Sequence, residues 1–328
     1  MKENLKIAII GAGLIGKKRA RSLPKEAELK IVCDTNSDSA RSFATEFNCL
    51  ATNKVGDIFN DKEIEAVIVA TPNGFLSELA VKAIESGKHV LIEKPGGRNK
   101  KEIEAIHTAW KKNPVTVMFG YNHRFHPGIA KAKEIVDSKQ FGSILFLRAK
   151  YGHGGRVGYE KEWRFKKQLS GGGELIDQGS HLIDLTNFFV GEMNKVKSSV
   201  KTFFWNTPLE DTAFMILENN SKQTAFLSAS CVEWKNLFCL EIMLEKAKIQ
   251  IDGLGGSYGR EKLTLYKMKP EMGPPDVQKF LFEEKDNSWE LENKLFFSKI
   301  VNQDYSDESI KQAIYVLDII EKVYAENK

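Results

Sequence analysis

The first 120 residues alternate between short apolar runs and longer amphipathic stretches. Five of the apolar runs have the length of strands: LKIAII (5–10), ELKIVCD (28–34), EAVIVATP (65–72), HVLIEKP (89–95) and VTVMFGYN (115–122). The stretches between them place apolar residues at helical spacing, as in FLSELAVKAIESG (75–87). Strands that are apolar on both faces require helices on both faces of their sheet. The pattern therefore predicts an α/β region with a doubly wound, parallel sheet.

The pattern changes from about His123 onward. After a predicted helix at 131–137, several segments alternate apolar and polar residues, as expected for an antiparallel sheet with one covered face. These candidate strands are 144–151, 195–205, 212–219, 223–234, 237–246, 247–253 and 262–268, followed by a Gly- and Pro-rich loop at 269–276. The sequence thus predicts two domains, at 1–122 and 123–328, the second being α+β with an open-faced, largely antiparallel sheet. An amphipathic helix is predicted at 308–326, and the sequence leaves open whether it packs back on the first domain.

Length and composition also favour two globular domains. The chain has 328 residues, of which 42% are hydrophobic and 28% charged, and this length is too great for one ordinary core. The formal charge is only +4 with scattered basic residues, which argues against nucleic-acid binding. No apolar run approaches the roughly 20 residues that cross a bilayer. The first residues lead into a strand without a signal peptide, and the four cysteines are sparse, so we expect a cytoplasmic protein with no membrane contact.

The first predicted strand ends in GAGLIG (11–16), which has the spacing of a dinucleotide fingerprint. In such a loop the first glycine permits a tight turn, the second lets the backbone approach a pyrophosphate, and the third lets the helix pack on the strand. The spacing is weak evidence alone, but a strand precedes it, a helix follows it and an acid ends the next strand. We therefore predict a Rossmann domain whose cofactor is bound by Gly11, Gly13, Leu14, Ile15 and Gly16.

The acid is Asp34, at the end of the second strand. A carboxylate at this position accepts hydrogen bonds from ribose hydroxyls and repels a 2′-phosphate. Thr35, Asn36 and Ser37 follow it, with no Arg or Lys that would attract such a phosphate. The sequence therefore favours NAD over NADP. The alternative is that Asp34 is an ordinary turn residue at a strand end.

Two later strands end in ATPNG (70–74) and EKPGG (93–97). Ligands of open α/β sheets bind outside the carboxyl ends of the strands, so both loops are expected to face the cofactor. Their candidate cofactor-binding residues are Thr71, Pro72, Asn73, Glu93 and Lys94. Lys94 is either an ordinary solvated lysine or, beside a nicotinamide, a group that polarises a reacting oxygen or moves a proton.

The segment SGGGELIDQGSHLIDL (170–185) places an Asp and a His inside an apolar helical pattern. Asp177 and His181 are four residues apart and share one helical face, roughly opposite an apolar stripe. That stripe consists of Leu175, Leu182, Leu185 and Phe189. One interpretation is an amphipathic helix with a hydrated side. The other is that the polar face takes part in catalysis, and the segment alone does not decide between them.

Together these motifs resemble the glucose–fructose oxidoreductase/inositol dehydrogenase/MocA (Gfo/Idh/MocA) family of nicotinamide-dependent sugar oxidoreductases. GAGLIG (11–16), CD (33–34), ATPN (70–73), SGKHVLIEKP (86–95) and GGGELIDQGSHLIDL (171–185) occur in order, over nearly the whole chain. The resemblance implies that Lys94, Asp177 and His181 form the active site and that Gly171–Gly173 let the chain come close to a ligand. It also implies a homodimer or homotetramer built through the open-faced sheet. One departure is Arg19, where many relatives have a histidine.

Two further segments, GYNHRFHPG (120–128) and GHGGRVGYEKEWR (152–164), resemble a subset of relatives that look like proteins of bacterial polysaccharide-sugar pathways. Their side chains could bind hydroxyls, stack on a sugar ring or hold a phosphate. The candidate substrate-binding residues are Asn122, Arg124, Arg156, Tyr159, Trp163 and Arg164. The alternative for 152–164 is a surface loop with aromatic anchors. The histidines at 123, 126, 153 and 181 match no compact metal spacing, so no metal is expected.

The implied reaction moves hydride between C4 of nicotinamide and a carbinol carbon of a sugar, an inositol or a nucleotide-linked sugar. In the oxidation direction His181 would accept the hydroxyl proton and Lys94 would stabilise negative charge on the same oxygen. Asp177 would balance the cation and orient the substrate or Lys94. Three alternatives remain open at this point: a non-catalytic sugar and dinucleotide sensor, a glycoside hydrolase that cycles bound NAD, and an epimerase.

Overall fold

The computed structural model describes residues 4–283 and 285–328. Contacts group residues 4–121 and 289–314 into one compact unit, and the described residues of 122–288 with 315–328 into a second. Residues 289–314 therefore group with the first unit, although they lie within the stretch predicted as the second domain. The helix predicted at 308–326 contains the point where the grouping changes, between residues 314 and 315.

The first unit contains a six-stranded parallel sheet and its helices. The strands are β1 (Leu5–Ile10), β2 (Ala27–Cys33), β3 (Leu50–Thr52), β4 (Ala66–Val69), β5 (His89–Glu93) and β6 (Val117–Gly120), and the helices are α1 (Leu14–Arg21), α2 (Ser37–Phe47), α3 (Gly56–Phe59), α4 (Asn73–Glu85) and α5 (Lys100–Lys112). The order β3-β2-β1-β4-β5-β6, with parallel pairing throughout, confirms the predicted doubly wound sheet. The short elements β3 and α3 are absent from the sequence-based prediction.

The second unit contains an eight-stranded sheet. Its strands are β7 (Ile144–Gly152), β8 (Lys195–Lys201), β9 (Thr212–Glu218), β10 (Thr224–Ser230), β11 (Leu237–Leu244), β12 (Ala247–Asp252), β13 (Glu261–Lys267) and β14 (Asp276–Phe282), and its helices are α6 (Pro127–Asp137), α7 (Lys167–Ser170) and α8 (Ser180–Val190). The order is β14-β13-β12-β11-β7-β10-β9-β8, antiparallel except for the parallel pair β7 and β10. This confirms the predicted, largely antiparallel sheet, although β14 was not expected. Two helices follow along the chain, α9 (Ser288–Val301) and α10 (Glu308–Glu326).

The core of the first unit explains why 289–314 belong to it. Ile7 and Ile9 of β1 are fully buried, and the same apolar cluster includes Phe296, Phe297 and Ile300 of α9. Burying side chains of this size stabilises a fold by about 1.5–3 kcal/mol each. The helix α9, which the sequence-based prediction lacks, is therefore a structural part of the parallel-sheet unit.

The sheet of the second unit has one covered and one open face. Along β11 every second side chain is buried, and α8 packs on β7 and β10. The open face carries large apolar side chains that are 38–45% exposed, namely Phe146, Phe214, Ile216 and Phe226. In the part of the chain that the structure describes, no helix is both long and apolar enough to span a bilayer.

Candidate functional site

The loop between β1 and α1 depends on two glycines that no other residue could replace without a shift. Gly11 has a φ of +110°, and a Cβ there would lie 2.4 Å from the carbonyl oxygen of Ala70. A Cβ on Gly16 would lie 1.9 Å from the carbonyl oxygen of Gly11, so the first turn of α1 packs directly on the loop. Gly13 differs, because a Cβ there would meet no heavy atom of the described residues within 4 Å. The loop is thus closed on the protein side and open at Gly13.

Asp34 follows β2 and is joined to this loop. Its Oδ2 accepts a hydrogen bond from the N–H of Ala12 at 2.8 Å, and its Oδ1 accepts one from the N–H of Asn36 at 2.9 Å. Asp34 thus joins the turn after β2 to the fingerprint loop. Each carboxylate oxygen has a second lone pair, so these two bonds do not prevent it from accepting ribose hydroxyls as well.

The other predicted cofactor residues of the first unit lie at the same edge of its sheet. Since β1, β4 and β5 are neighbouring parallel strands, their carboxyl ends meet there. The N–H of Ala70 donates to the carbonyl of Ile10 at 2.8 Å, which fixes the loop after β4 beside the fingerprint. Around this edge, Asn73 is buried, Ile15, Thr71, Pro72 and Lys94 are half-buried, and Leu14 is exposed.

The Glu93 carboxylate is bound to a buried arginine. Arg19 of α1 is fully buried, and its Nε donates to Glu93 Oε1 at 2.6 Å. Its Nη1 lies 2.7 Å from Glu292 Oε2 of α9, and its guanidinium lies 4.5 Å from the centre of the Trp289 ring. Burial lowers the pKa of Arg19, but the two carboxylates raise it by more, so the guanidinium stays charged. The residue that departs from the family pattern is thus an internal cation of the first unit.

In the second unit the segment with Asp177 and His181 is not one continuous α-helix. Leu175–Gly179 forms a π-helical turn, which leads directly into α8. Turns of this kind are rare and often occur at functional sites. The helical period seen in the sequence predicted the helix but not the wider turn, since the hydrogen-bond step is not visible in the pattern.

The start of this helical segment is held by Glu210, which lies just before β9. The Glu210 Oε1 accepts hydrogen bonds from the N–H groups of Gly173 (2.9 Å) and Leu175 (3.2 Å) and from the Tyr324 hydroxyl (2.6 Å). Burial raises the pKa of Glu210, although these donors favour its charged form. A carboxylate in this position satisfies N–H groups that a helix start leaves without partners.

The glycines before this turn are needed for packing within the protein. A Cβ on Gly172 would lie 1.8 Å from the Tyr324 hydroxyl, and one on Gly173 would lie 2.0 Å from the Glu210 carbonyl oxygen. These two glycines thus allow the segment to pack against Tyr324 and Glu210. That the glycines at 171–173 also let the chain approach a ligand stays a prediction.

Asp177 is paired with an arginine from the predicted substrate loop. Arg164 Nε donates to Asp177 Oδ2 at 2.9 Å, and Arg164 Nη1 lies 3.1 Å from Glu162 Oε2. The Arg164 guanidinium also lies 5.0 Å from the centre of the Trp163 ring. Arg156 is more exposed and pairs with Glu162. The structure thus brings Asp177, Trp163 and Arg164 together within the second unit.

His181 lies in a cluster of aromatic rings that the sequence did not reveal. Its imidazole stacks on that of His123, with centroids 3.7 Å apart and planes 12° from parallel. The Tyr151 ring of β7 is roughly perpendicular to both rings, with its centroid 5.9 Å from that of His181 and 4.9 Å from that of His123. Burial and then Tyr258 raise the pKa of Tyr151 well above its usual value, so its hydroxyl stays neutral. His123 is 58 positions from His181 along the chain, which is why no local pattern could indicate it.

Three other predicted substrate residues form hydrogen bonds, an ion pair or packing contacts within the second unit. The Arg124 guanidinium binds Asp184 through two nitrogens, with Nε donating to Oδ2 at 2.8 Å. Asn122 is buried and donates to the Ser288 hydroxyl at 3.0 Å. Tyr159 is only 3% exposed and packs on Phe165 and Trp205, which makes it an anchor of the loop.

No metal arrangement occurs in the described part of the chain. Residues 4–283 and 285–328 contain no group of three or more His, Cys, Asp or Glu side chains placed to hold an ion.

Comparison with protein-family sequence models gives two matches. Residues 5–121 match the oxidoreductase family with an NAD-binding Rossmann fold that is named GFO/IDH/MocA. Residues 129–250 match the C-terminal domain of the same family. The two matched regions together cover more than half of the chain.

Individual proteins are also similar to this chain. A levoglucosan dehydrogenase of Pseudarthrobacter phenanthrenivorans is 30% identical over 221 residues, which are 63% of this chain and 57% of that protein. The chain thus spans a little over half the length of this relative. A 2,7-anhydro-N-acetylneuraminate hydratase of Escherichia coli is 27% identical over 74% of this chain and 66% of that protein. Among solved structures, a levoglucosan dehydrogenase in complex with NADH and levoglucosan superimposes with a TM-score of 0.90 at 22% identity, covering 99% of this chain and 97% of that one. This structural similarity shows that the chain has the same fold as that protein.

Proposed function

The chain belongs to the GFO/IDH/MocA family of oxidoreductases, and from that membership we propose that it moves hydride between C4 of a nicotinamide and a carbinol carbon of a sugar, an inositol or a nucleotide sugar. The observation that carries the proposal is the fingerprint loop, closed against the protein at Gly11 and Gly16 and open at Gly13. A loop of this geometry before a helix N-terminus suits the pyrophosphate of a dinucleotide.

The residues of the first unit fit NAD. We propose that the backbone of the fingerprint loop binds the pyrophosphate and that Asp34 accepts the ribose hydroxyls with its remaining lone pairs. The proposed contacts are Gly11, Gly13, Leu14, Ile15, Gly16, Asp34, Thr71, Pro72, Asn73 and Lys94. Glu93 stays in this set only through its backbone, because its carboxylate is bound to Arg19. NAD, when bound, would supply the carbon that takes or gives up the hydride.

Three side chains are proposed to handle the proton and the charge. His181 accepts the hydroxyl proton in the oxidation direction, since an imidazole gains and loses protons near neutral pH. Lys94 donates a hydrogen bond to the reacting oxygen and stabilises its developing negative charge. Asp177 orients the substrate or Lys94, and its hydrogen bond from Arg164, which fixes the carboxylate, supports that role.

The proposed substrate contacts rest mainly on the loop at 152–164. Trp163 and Arg164 are half-buried beside Asp177, and Arg156 is the most exposed of the three. We propose that these side chains meet the hydroxyls or a charged group of the substrate. Asn122, Arg124 and Tyr159 would act on the substrate only indirectly, by holding the elements that carry the direct contacts.

The first experiment is a spectrophotometric screen for NADH formed from NAD. The purified protein would be tested with inositols, free sugars, anhydrosugars, uronic acids and nucleotide sugars. With the active substrate, Lys94→Ala and His181→Ala should each lower kcat by about 10²–10⁴-fold while the NAD dissociation constant stays within about threefold. Lys111→Ala, which removes an exposed lysine of α5, is the matched control. If dinucleotide binding falls as far as kcat, the two residues are structural and their proposed roles are wrong.

The preference for NAD over NADP is tested at Asp34. Asp34→Asn keeps an oxygen that can accept from the Ala12 N–H but removes the charge that repels a 2′-phosphate. We expect the ratio of kcat/KM for NAD to that for NADP to fall by about tenfold or more, which corresponds to about 1.4 kcal/mol. A ratio that does not change would remove Asp34 from the ribose site.

A homodimer or homotetramer formed through the open sheet face is part of the same proposal. The exposed apolar side chains of that face include Phe214 and Phe226, which lie on neighbouring strands. Light scattering on the eluting protein should give a multiple of 37.0 kDa, and Phe226→Glu should shift the mass towards the monomer. A wild-type monomer at micromolar concentration would contradict this part.

A second candidate is a redox-neutral reaction with bound NAD, favoured by the similarity to the Escherichia coli hydratase. An enzyme of this kind would consume its substrate without net accumulation of NADH, because the hydride returns in each cycle. Product analysis by mass spectrometry beside the absorbance assay separates the two candidates. Tight NAD binding with no change in any substrate would instead indicate a sensor.

A further inference from the structure

Two imidazole rings lie face to face inside the second unit. His123 and His181 are 5% and 4% exposed, and their ring centroids are only 3.7 Å apart. His123 belongs to a 3₁₀ turn (Asn122–Phe125) and His181 to the first turn of α8, so rigid elements hold both rings. The planes differ by 12°, which makes this a stacked pair.

Such a pair can carry only one proton near neutral pH. Two positive charges at this separation would split the two protonation steps by about 3 pH units at an effective dielectric constant of about 20. The pair therefore titrates as a coupled unit, in which the first proton strongly opposes the second.

A third imidazole, that of His126, borders His123. The two rings are nearly perpendicular with centroids 5.7 Å apart, and His126 Nδ1 lies 3.2 Å from Glu261 Oε2. Glu261 is itself buried and accepts the N–H of Gly128 through its other oxygen. The imidazole that borders His123 is thus itself bound to a buried carboxylate.

The surroundings of His181 differ. Tyr151, hydrogen-bonded to Tyr258, is a neutral group at its edge. The charged side chains of the adjoining helical segment are Glu174 and Asp177, and Asp177 is paired with Arg164. These acidic groups belong to the segment that leads into the helix of His181, whereas the turn that carries His123 has none.

From this geometry we propose that His123 is a positioning residue for His181: it fixes the plane of the His181 imidazole and presents a neutral aromatic face to the imidazolium. A cation over an aromatic face is stabilised by the ring's charge distribution, more so where water is excluded. The inference rests on the proposed role of His181 as the proton acceptor and deepens it. It also accounts for a histidine that the reaction itself does not require.

The test is an NMR titration of ¹⁵N-labelled histidines in the full-length protein, without substrate. In the wild type, His181 should titrate while His123 stays neutral from pH 5.5 to 8. His123→Leu removes the aromatic face, and the pKa of His181 should then fall by about 0.5 to 1. His123→Phe restores an aromatic face, so the pKa of His181 should stay at or above the wild-type value. His107→Leu, which removes a histidine of the first unit, is the control.

Kinetics with the substrate found in the screen provide the second measurement. His123→Leu should lower kcat by about 3- to 10-fold and shift the acidic limb of the pH profile to lower pH, with the KM for NAD unchanged. His123→Phe should recover most of this loss. Equal damage by Leu and Phe, or a His123 that protonates before His181, would overturn the inference. If the titrations behave as expected but His181→Ala retains turnover, the stacking stands and the proposed role of His181 fails instead.

Discussion

The fingerprint loop of the first unit and the helical turn of the second unit are constructed in different ways. The loop is defined by backbone contacts, because Gly11 and Gly16 leave no room for a side chain. The turn is defined by distant side chains, since Glu210 caps it, Arg164 binds Asp177 and His123 stacks on His181. A site of the first kind should tolerate no substitution at the two glycines that pack against backbone, Gly11 and Gly16. A site of the second kind should tolerate a change at one partner when the other partner changes with it.

The largest effect is expected where a buried charge loses its partner in the second unit. Asp184 is fully buried, and Arg124 is its ion-pair partner. Arg124→Met should lower the free energy of unfolding by about 3–5 kcal/mol, because it leaves the carboxylate buried without its cation. The double variant Arg124→Met/Asp184→Leu should recover most of that loss in urea unfolding. A double variant as unstable as the single one would show that this region does not depend on matched pairs.

In the fingerprint loop, by contrast, no second substitution should recover the stability that a first one removes. Gly16→Ala places a Cβ where the Gly11 carbonyl oxygen lies, so we expect the unfolding free energy to fall by about 2–3 kcal/mol, together with loss of NAD binding. The matched variant Gly13→Ala should leave the Tm within about 1 °C, because that Cβ meets open space, and should weaken NAD binding only. Thermal unfolding with a parallel NAD titration measures both. Equal Tm losses in the two variants would contradict the backbone account.

A smaller effect is expected at the cap of the helical turn. Tyr324→Phe removes the hydroxyl that donates to Glu210 but keeps the ring, so stability should fall by about 1.5 kcal/mol. Tyr315→Phe, in the same helix α10, removes only an acceptor for the Met193 N–H and should cost about 1 kcal/mol or less. If Tyr324→Phe changed neither the Tm nor kcat, Glu210 would hold the turn without help from α10.

The smallest effect is expected in the pH dependence of the stability of the first unit. Burial lowers the pKa of His89, whose Nδ1 accepts the N–H of Thr116. The unfolded chain therefore binds more protons than the folded one from the usual histidine pKa of about 6.5 down to the lowered value. The contribution of the neutral His89 to the free energy of unfolding is present above about pH 6.5 and is lost as the pH falls from there through the lowered pKa.

The comparison is His89→Asn, which retains an acceptor for Thr116. The drop in Tm between pH 7 and pH 5 should be about 1–2 °C smaller in this variant than in the wild type, and NAD affinity at pH 7 should not change. A change in affinity would mean that the fingerprint site depends on ionisable side chains after all.

The same contrast explains how much the sequence could reveal. The predicted strands of the parallel sheet were found because β1, β4 and β5 are buried runs with glycines or prolines after them. By contrast, β14 was missed because it is an exposed edge strand that lacks a clear alternation, and β3 because it has only three residues. Helix α9 was missed because its apolar residues do not form a clean stripe.

Within the candidate sites, the fingerprint glycines follow from local chemistry and could be predicted. Contacts between distant residues could not. Arg19 binds Glu93 and Glu292, and Arg124 binds Asp184, at separations of tens to hundreds of positions that no pattern or period encodes. The sequence indicated which loops carry the candidate polar residues, such as the loop at 152–164. It did not indicate which of these residues support the fold and which are available for a ligand.

The discontinuity of the first unit has a consequence for protein synthesis. Glu292, Phe296 and Phe297 belong to its core, yet the ribosome adds them more than 150 residues after Tyr121. At ~5–20 residues per second, the amino-terminal segment would wait roughly 10 to 40 s with Arg19 lacking one of its two carboxylates and an apolar face uncovered. The nascent dinucleotide domain is therefore an expected client of chaperones that bind apolar surface, and it should become resistant to protease only after α9 has left the exit tunnel.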